Sequence, residues 1–316
     1  MTESSRRHLL AVSDLTADDA LRILDTARAL ERSLDREMKK LPTLRGRLVV
    51  NLFYESSTRT LSSFELAAKR LSADTMVLRA SGSSVDKGES LRDTALTLAA
   101  YDPDVIVIRH PHIGAPQLVA GATTAHVVNA GDGKHQHPTQ ALLDLHTIRE
   151  ALGRLEGVTV AIVGDVLHSR VARSLVEALL LVGAEPVLVG PPTLLPRGIE
   201  ALGASVSHTV DAVADAEVVY VLRMQAERME AAYVPSLREY TELYGITPER
   251  VGAGQVVMHP GPMNRGVEID PRVADSGASL VTTQVRSGLV VRMAVLYDLL
   301  TAPGPTLVLP AVAEIA

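Results

Sequence analysis

Four arginines stand where apolar, β-branched runs give way to polar segments: Arg59, Arg109, Arg170 and Arg223. The first closes Phe53-Tyr54-Glu55-Ser56-Ser57-Thr58-Arg59-Thr60, where hydroxyls, backbone N–H groups and a guanidinium meet at the mouth of an expected helix. That combination suits a phosphate, because a helix N-terminus carries unpaired donors and a favourable dipole for an anion. Taken singly, Ser57 or Thr58 would be an N-cap and Arg59 a solvated side chain. Arg109, in Ile108-Arg109-His110-Pro111-His112, ends another run and can join the same anion, since ligands of open α/β sheets bind at the carboxyl ends of strands.

Asn129-Ala130-Gly131-Asp132-Gly133-Lys134-His135-Gln136-His137-Pro138-Thr139-Gln140 also leads from an expected strand into a helix. His135 and His137 suggest a metal pair, but no further His-rich partner motif accompanies them. His137 and Gln140 are therefore expected to be hydrogen-bond donors to a polar substrate, with no metal and no cofactor. Val163-Gly164-Asp165-Val166-Leu167-His168-Ser169-Arg170 has the position of a dinucleotide fingerprint but lacks its second and third glycines, which disfavours a nicotinamide cofactor. Arg170 instead suggests a carboxylate or phosphate ligand, as does Arg223 in Leu222-Arg223-Met224-Gln225. Met258-His259-Pro260-Gly261-Pro262 is a stiff turn, and Ser81 to Ser90, with Ser83 and Lys87, reads by itself as a polar surface loop. Four arginines at strand ends require a small substrate pair bearing several negative charges.

These side chains need a scaffold, and the periodicity supplies one. Expected strands at Arg47–Phe53, Thr75–Leu78, Asp104–Arg109 and Ala125–Asn129 alternate with helical stretches, and the cadence repeats at Val158–Val163, Pro186–Val189, Ser205–His208, Glu217–Leu222 and Val256–Met258. Helices are expected near Thr16–Leu34, capped by Thr16 with Asp19, over Pro138–Leu152, and near Thr283–Leu300. The reading is α/β, with two doubly wound parallel-sheet domains and the site in the cleft between them. Residues 1–150 form the first domain and 151–283 the second, with the closing helix, 284–316, packing back on the first.

The 316 residues are 47% hydrophobic, carry a formal charge of −6 and include no cysteine. Thiol nucleophiles, thiolate metal sites and disulfides are thereby excluded, and the acidic balance argues against a nucleic-acid partner. Only two Phe, seven Tyr and no Trp leave little for a base-stacking platform. No apolar run approaches the ~18 residues of a membrane span, and Met1 to Arg7 is short and polar; no membrane association, no secretory signal and a cytoplasmic location are expected. A non-catalytic anion-binding protein would explain the arginines but has no need of His137 beside Gln140, and a metal hydrolase would need chelatable metal.

Read in order, Ser57-Thr58-Arg59-Thr60, Lys87-Gly88-Glu89, His137-Pro138-Thr139-Gln140, Arg223-Met224-Gln225 and His259-Pro260-Gly261-Pro262 make the chain resemble the aspartate carbamoyltransferase catalytic chains of the aspartate/ornithine carbamoyltransferase family, from opening helix to closing helix. Ornithine enzymes share the Ser-Thr-Arg-Thr loop but carry His-Pro-Cys-Gln and a His-Cys-Leu-Pro loop, whereas this chain has no cysteine. The resemblance implies carbamoyl transfer from carbamoyl phosphate to L-aspartate, with another amine such as ornithine as the alternative acceptor. It implies that Ser57, Thr58, Arg59, Thr60 and Arg109 hold the phosphate, and that His137 with Arg59 and Thr60 polarises the carbamoyl oxygen. Gln140 and the Gly261–Pro262 backbone would take the carbamoyl nitrogen, and Arg170, Arg223 and Gln225 the aspartate carboxylates. A homotrimer is implied too, with Ser83 and Lys87 reaching a neighbour's site and Lys87 also serving aspartate binding and catalysis. Glu55 would bridge to Arg170 and Arg228 as the domains close, and larger assemblies with regulatory chains or a dihydroorotase are the further partners.

Overall fold

The computed structural model describes residues 8–79, 88–225 and 233–301. In the first half, α1 (Ala17–Glu31) precedes β1 (Leu48–Phe53), α2 (Thr58–Arg70), β2 (Asp74–Arg79), α3 (Leu91–Ala99), β3 (Val105–His110), α4 (Ala115–Ala122), β4 (His126–Asp132) and α5 (Pro138–Leu152). The second half holds β5 (Thr159–Val163), α6 (Arg170–Leu181), β6 (Glu185–Val189), β7 (Ser205–Ser207), β8 (Val218–Val221), α7 (Leu237–Tyr244), β9 (Val256–Met258), α8 (Pro271–Ala274) and α9 (Val281–Leu300). All pairings between these strands are parallel, in two sheets ordered β2-β1-β3-β4 and β7-β6-β5-β8-β9.

Both sheets are buried on two faces, which is why their strands read as near-continuous apolar runs. Along β1, Val49 and Phe53 pack towards α1, α2 and α9, whereas Val50 and Leu52 enter the core with Leu98 and Val119. Along β5, Val160 and Ile162 face α5 and α6, and Ala161 and Val163 the opposite core with Ile246 and Ile269. The period-2 alternation thus sorts each strand between two cores.

α5 begins with Pro138 and ends at Gly153, whose left-handed φ of 76° lets its N–H reach the Arg149 carbonyl. It is buried from Pro138 to Ile148 and shared between the halves: Leu142 and Leu143 join the first core, and Ala141, Leu145 and Ile148 the second. Packed between the two cores, this helix buries polar positions too, among them Gln140 and Asp144. α9 lies against α1, α2 and α5.

The differences from the expected elements are local. β4 runs on to Asp132, three residues past the expected end, because a register shift against β3 lets Asp132 pair opposite His110. α1 stops at Glu31 and tightens into a 3-10 turn over Arg32–Asp35, and α9 starts two residues early, at Val281. Thr16 and Asp19 form the expected reciprocal cap.

Candidate active site

Doubly wound sheets bind ligands where the strand order reverses. Here those points lie between β1 and β3 in the first sheet and between β5 and β8 in the second. Arg59 and Arg109 belong to the first point, Arg170 and Arg223 to the second, and all four line one cleft of about 520 Å³. Ser57, Thr58, Thr60, His137, Gln140, Gln225, Gly261 and Pro262 line it too. Ser83, Lys87 and Arg228 lie outside the described residues.

β1 delivers the chain to the mouth of α2, where the Ser57 hydroxyl caps the helix by accepting the Thr60 N–H at 3.3 Å. The Thr58 and Arg59 amides belong to the helical turn that makes no intrahelical bonds and is left for an anion. Arg59 is packed against Gly261, whose φ is +64° and whose missing Cβ would stand 2.7 Å from the Arg59 Cζ. A larger residue there would push the guanidinium aside. Arg109 donates to the Ala130 carbonyl at 3.2 Å and lies 3.3 Å from the Glu55 carboxylate.

Arg170, the first residue of α6, is buried; it donates to the Gly133 carbonyl at 3.1 Å and to Glu55 at 2.7 Å. Glu55 therefore ties the loop after β1 to the helix after β5. Asp165 holds the second-sheet loops, accepting from the His168 N–H at 3.2 Å and the Gln225 N–H at 3.3 Å. His259 accepts the Gly261 N–H on Nδ1 at 2.8 Å and reaches Glu268 through Nε2 at 3.2 Å, which assigns the proton to Nε2.

His137 caps α5 without using its ring for the cap, and its backbone N–H donates to Ser174 at 2.8 Å. Its buried Nδ1 has no partner among the described residues. Burial, reinforced by the charges of Arg109, Arg292 and Arg170, holds its pKa well below the usual imidazole range. The ring is thus neutral at pH 7 and offers one N–H beside several fixed cations. His135 turns elsewhere, to Asp132 at 3.1 Å, so the two histidines do not converge.

Three groups at the cleft carried no expectation. Arg292, from α9, lies 5.0 Å over the Phe64 ring and donates to Ser63 at 2.6 Å; burial pulls its pKa down to about 10, so it remains charged. Gly288, one turn earlier, admits it, for a Cβ there would sit 2.8 Å from its Nη1. Gln284 accepts the His259 N–H at 2.9 Å and donates to Asp144 at 2.8 Å. Asp144 is fully buried behind Gln140, which donates to it at 3.1 Å, as Tyr220 does at 2.7 Å. The available signal was a charge inside an apolar run: Asp144 within Leu142-Leu143-Asp144-Leu145, and Arg292 within Val290-Val291-Arg292-Met293.

Among the lining residues five arginines face one carboxylate, Glu55, in a cleft with neutral histidine and amide donors. Such a surface can hold anionic groups and can stabilise negative charge that develops against it. This class of site agrees with sequence comparison. Residues 7–150 match the family profile described as aspartate/ornithine carbamoyltransferase, carbamoyl-P binding domain, and residues 156–299 match that of the Asp/Orn binding domain. The chain belongs to the aspartate/ornithine carbamoyltransferase family.

Within that family its similarity runs to the aspartate enzymes. It is 59% identical to the aspartate carbamoyltransferase catalytic subunit of Acidothermus cellulolyticus, over 95% of this chain and 94% of that one. Against its Thermobifida fusca counterpart the identity is 58%, over 93% and 95%. Aspartate transcarbamoylase from Trypanosoma cruzi, solved with N-(phosphonacetyl)-L-aspartic acid, superposes with a TM-score of 0.86 at 32% identity, covering 95% of this chain and 98% of that chain. The M. jannaschii catalytic subunit gives 0.82 at 39% identity, covering 93% and 97%.

Proposed function

We propose that this chain is an aspartate carbamoyltransferase, moving the carbamoyl group of carbamoyl phosphate to the α-amine of L-aspartate and releasing N-carbamoyl-L-aspartate and phosphate, in the cytoplasmic synthesis of pyrimidines. The observation that carries this reading is the convergence of Arg59, Arg109, His137 and Gln140 with Arg170, Arg223 and Gln225 on one cleft. The relatives named aspartate carbamoyltransferase catalytic subunit support the choice of acceptor.

The amine nitrogen attacks the carbamoyl carbon, negative charge builds on the carbonyl oxygen, and the C–O bond to phosphate breaks as the N–C bond is completed. Ser57, Thr58, Arg59, Thr60 and Arg109 take the phosphate oxygens at the mouth of α2. Arg59, Thr60 and neutral His137 donate to the carbonyl oxygen, and donors fixed in advance pay no reorganisation during the step. The Gln140 carbonyl and the Gly261–Pro262 backbone accept from the carbamoyl nitrogen, while Arg170, Arg223 and Gln225 hold the two carboxylates of aspartate. The α-ammonium of aspartate gives up one proton before the attack, and the departing phosphate takes the second as the N–C bond is completed. The phosphate half is 1–150 with the closing helix from Gln284 onward packed on it, the aspartate half is 151–283, and the Glu55–Arg170 bridge joins them.

In a homotrimer, Ser83 and Lys87 would complete a neighbour's site. Arg59→Ala and Lys87→Ala proteins should then each be nearly inactive and regain activity when dissociated and reassembled together; no recovery after verified exchange rejects the shared site. The assignment as a whole is tested by colorimetric detection of carbamoyl-aspartate from the two substrates, run beside ornithine. Comparable turnover of ornithine would reject it.

A further inference from the structure

Gln140 lines the cleft, yet an amide is an ambiguous tool: its oxygen accepts, its nitrogen donates, and the two have nearly the same shape. Which end faces substrate depends on what holds the other end. Behind Gln140 stands Asp144, completely buried on α5, with three donors converging on one carboxyl group. Gln140 Nε2 lies 3.1 and 3.3 Å from its two oxygens, Gln284 Nε2 lies 2.8 Å from Oδ1, and the Tyr220 hydroxyl lies 2.7 Å from Oδ2.

We infer that Asp144 is a positioning residue that turns the Gln140 amide oxygen towards the cleft, and so sets the preference for a carbamoyl group over an acyl group of the same shape. The inference rests on the carbamoyl transfer proposed above. A carboxyl oxygen that accepts can face only the nitrogen end of an amide, so the Gln140 carbonyl is left as the group presented to substrate. There it accepts an N–H of the carbamoyl nitrogen, which a methyl group cannot supply.

The arrangement is the same whether or not Asp144 carries a proton. Of the three partner atoms that face it, only the Tyr220 hydroxyl oxygen can accept as well as donate, so a proton belongs on the Oδ2 side and Oδ1 still accepts from both amide nitrogens. Gln284 is fixed twice, because its Oε1 accepts the His259 N–H at 2.9 Å while its nitrogen serves Asp144. Loss of Asp144 therefore leaves Gln140 as the amide free to turn.

The test compares carbamoyl phosphate with acetyl phosphate, in which a methyl replaces the amino group. Dissociation constants for both are measured calorimetrically, without aspartate, on the full-length unmodified protein, Asp144→Leu, Gln140→Ala and the double variant. Asp144→Leu keeps the branched shape and removes both acceptors. It should reduce the preference for carbamoyl phosphate by about ten- to a hundredfold, the effect of one buried acceptor gained or lost, with acetyl phosphate affinity changed less than about threefold. In the Gln140→Ala background the same substitution should reduce the preference by no more than about threefold, since its agent is already gone. Should Asp144→Leu fail to fold, Asp144→Ala takes its place in the same cycle. An unchanged preference, a parallel weakening of both ligands, or an undiminished effect in the Gln140→Ala background overturns the inference. An unmodified protein that forms no carbamoyl-aspartate would instead overturn the proposed function.

Discussion

Replacing Gly261 by alanine separates catalysis from folding. The new Cβ would lie 2.7 Å from the Arg59 Cζ and 2.8 and 3.0 Å from its two terminal nitrogens. Carbon atoms in ordinary contact stand about 3.5–4.0 Å apart, so the guanidinium must retreat by roughly 1 Å. It is the flexible end of a long side chain, so the fold absorbs the shift, but the transition state does not. A displacement of that size costs about a hundredfold in rate, or roughly 2.7 kcal/mol. The left-handed φ of +64° adds about 1–2 kcal/mol of backbone strain for any residue with a Cβ. Gly266 is the control: its φ is +81° and nothing stands within 4 Å of its missing Cβ, so Gly266→Ala carries the strain without the collision. Steady-state assays with thermal unfolding of both variants should show similar stability losses and a kcat about a hundredfold lower for Gly261→Ala alone. A kcat within threefold of the Gly266→Ala value would refute the placement of Arg59 at the reacting group.

His137→Ala should lower kcat by about 10²–10³, the loss typical of one oxyanion donor, with carbamoyl phosphate affinity little changed by calorimetry; lost binding with intact turnover at saturation would assign the ring elsewhere. Glu55→Ala removes the 2.7 Å tie to Arg170, and should raise the KM for aspartate about tenfold, as expected of a partly buried ion pair, while carbamoyl phosphate affinity moves less; the reverse order would contradict the bridge. Burial pushes the Asp144 carboxyl up to about 7 despite donation from Gln284, Tyr220 and Gln140. An acid whose pKa is raised by folding binds its proton more tightly in the native state, so stability is lost as pH rises from about 4 to about 7. Unfolding free energies at pH 5 and pH 8 should therefore differ by about 3 kcal/mol more in the unmodified protein than in Asp144→Asn, and an equal difference in both would show that Asp144 is ionised throughout.

The strands and the arginines were legible because they are local. A β-branched run followed by hydroxyls and Arg59 declares both a buried strand and what stands at its end, and Pro138 with Gly153 brackets α5 in the sequence itself. Asp144, Gln284 and Arg292 were not legible. Gln284 lies 140 residues from its carboxylate, and Arg292 lies 229 residues from the Ser63 hydroxyl it meets, so their meaning depends on α9 returning to α2 and α5. In the sequence, Leu289, Met293, Leu296 and Leu300 mark one apolar face of that helix and give no reason to see a cation beside them reaching the cleft. Glu268 is similar: buried with His259, it has no spacing signal of its own.

The most direct test offers labelled carbamoyl phosphate to the protein with equal concentrations of L-aspartate and L-ornithine and identifies the labelled product. The site described here predicts N-carbamoyl-L-aspartate released one for one with phosphate and no citrulline above the uncatalysed rate. Citrulline as the main product, or phosphate released without either carbamoylated amino acid, would contradict it.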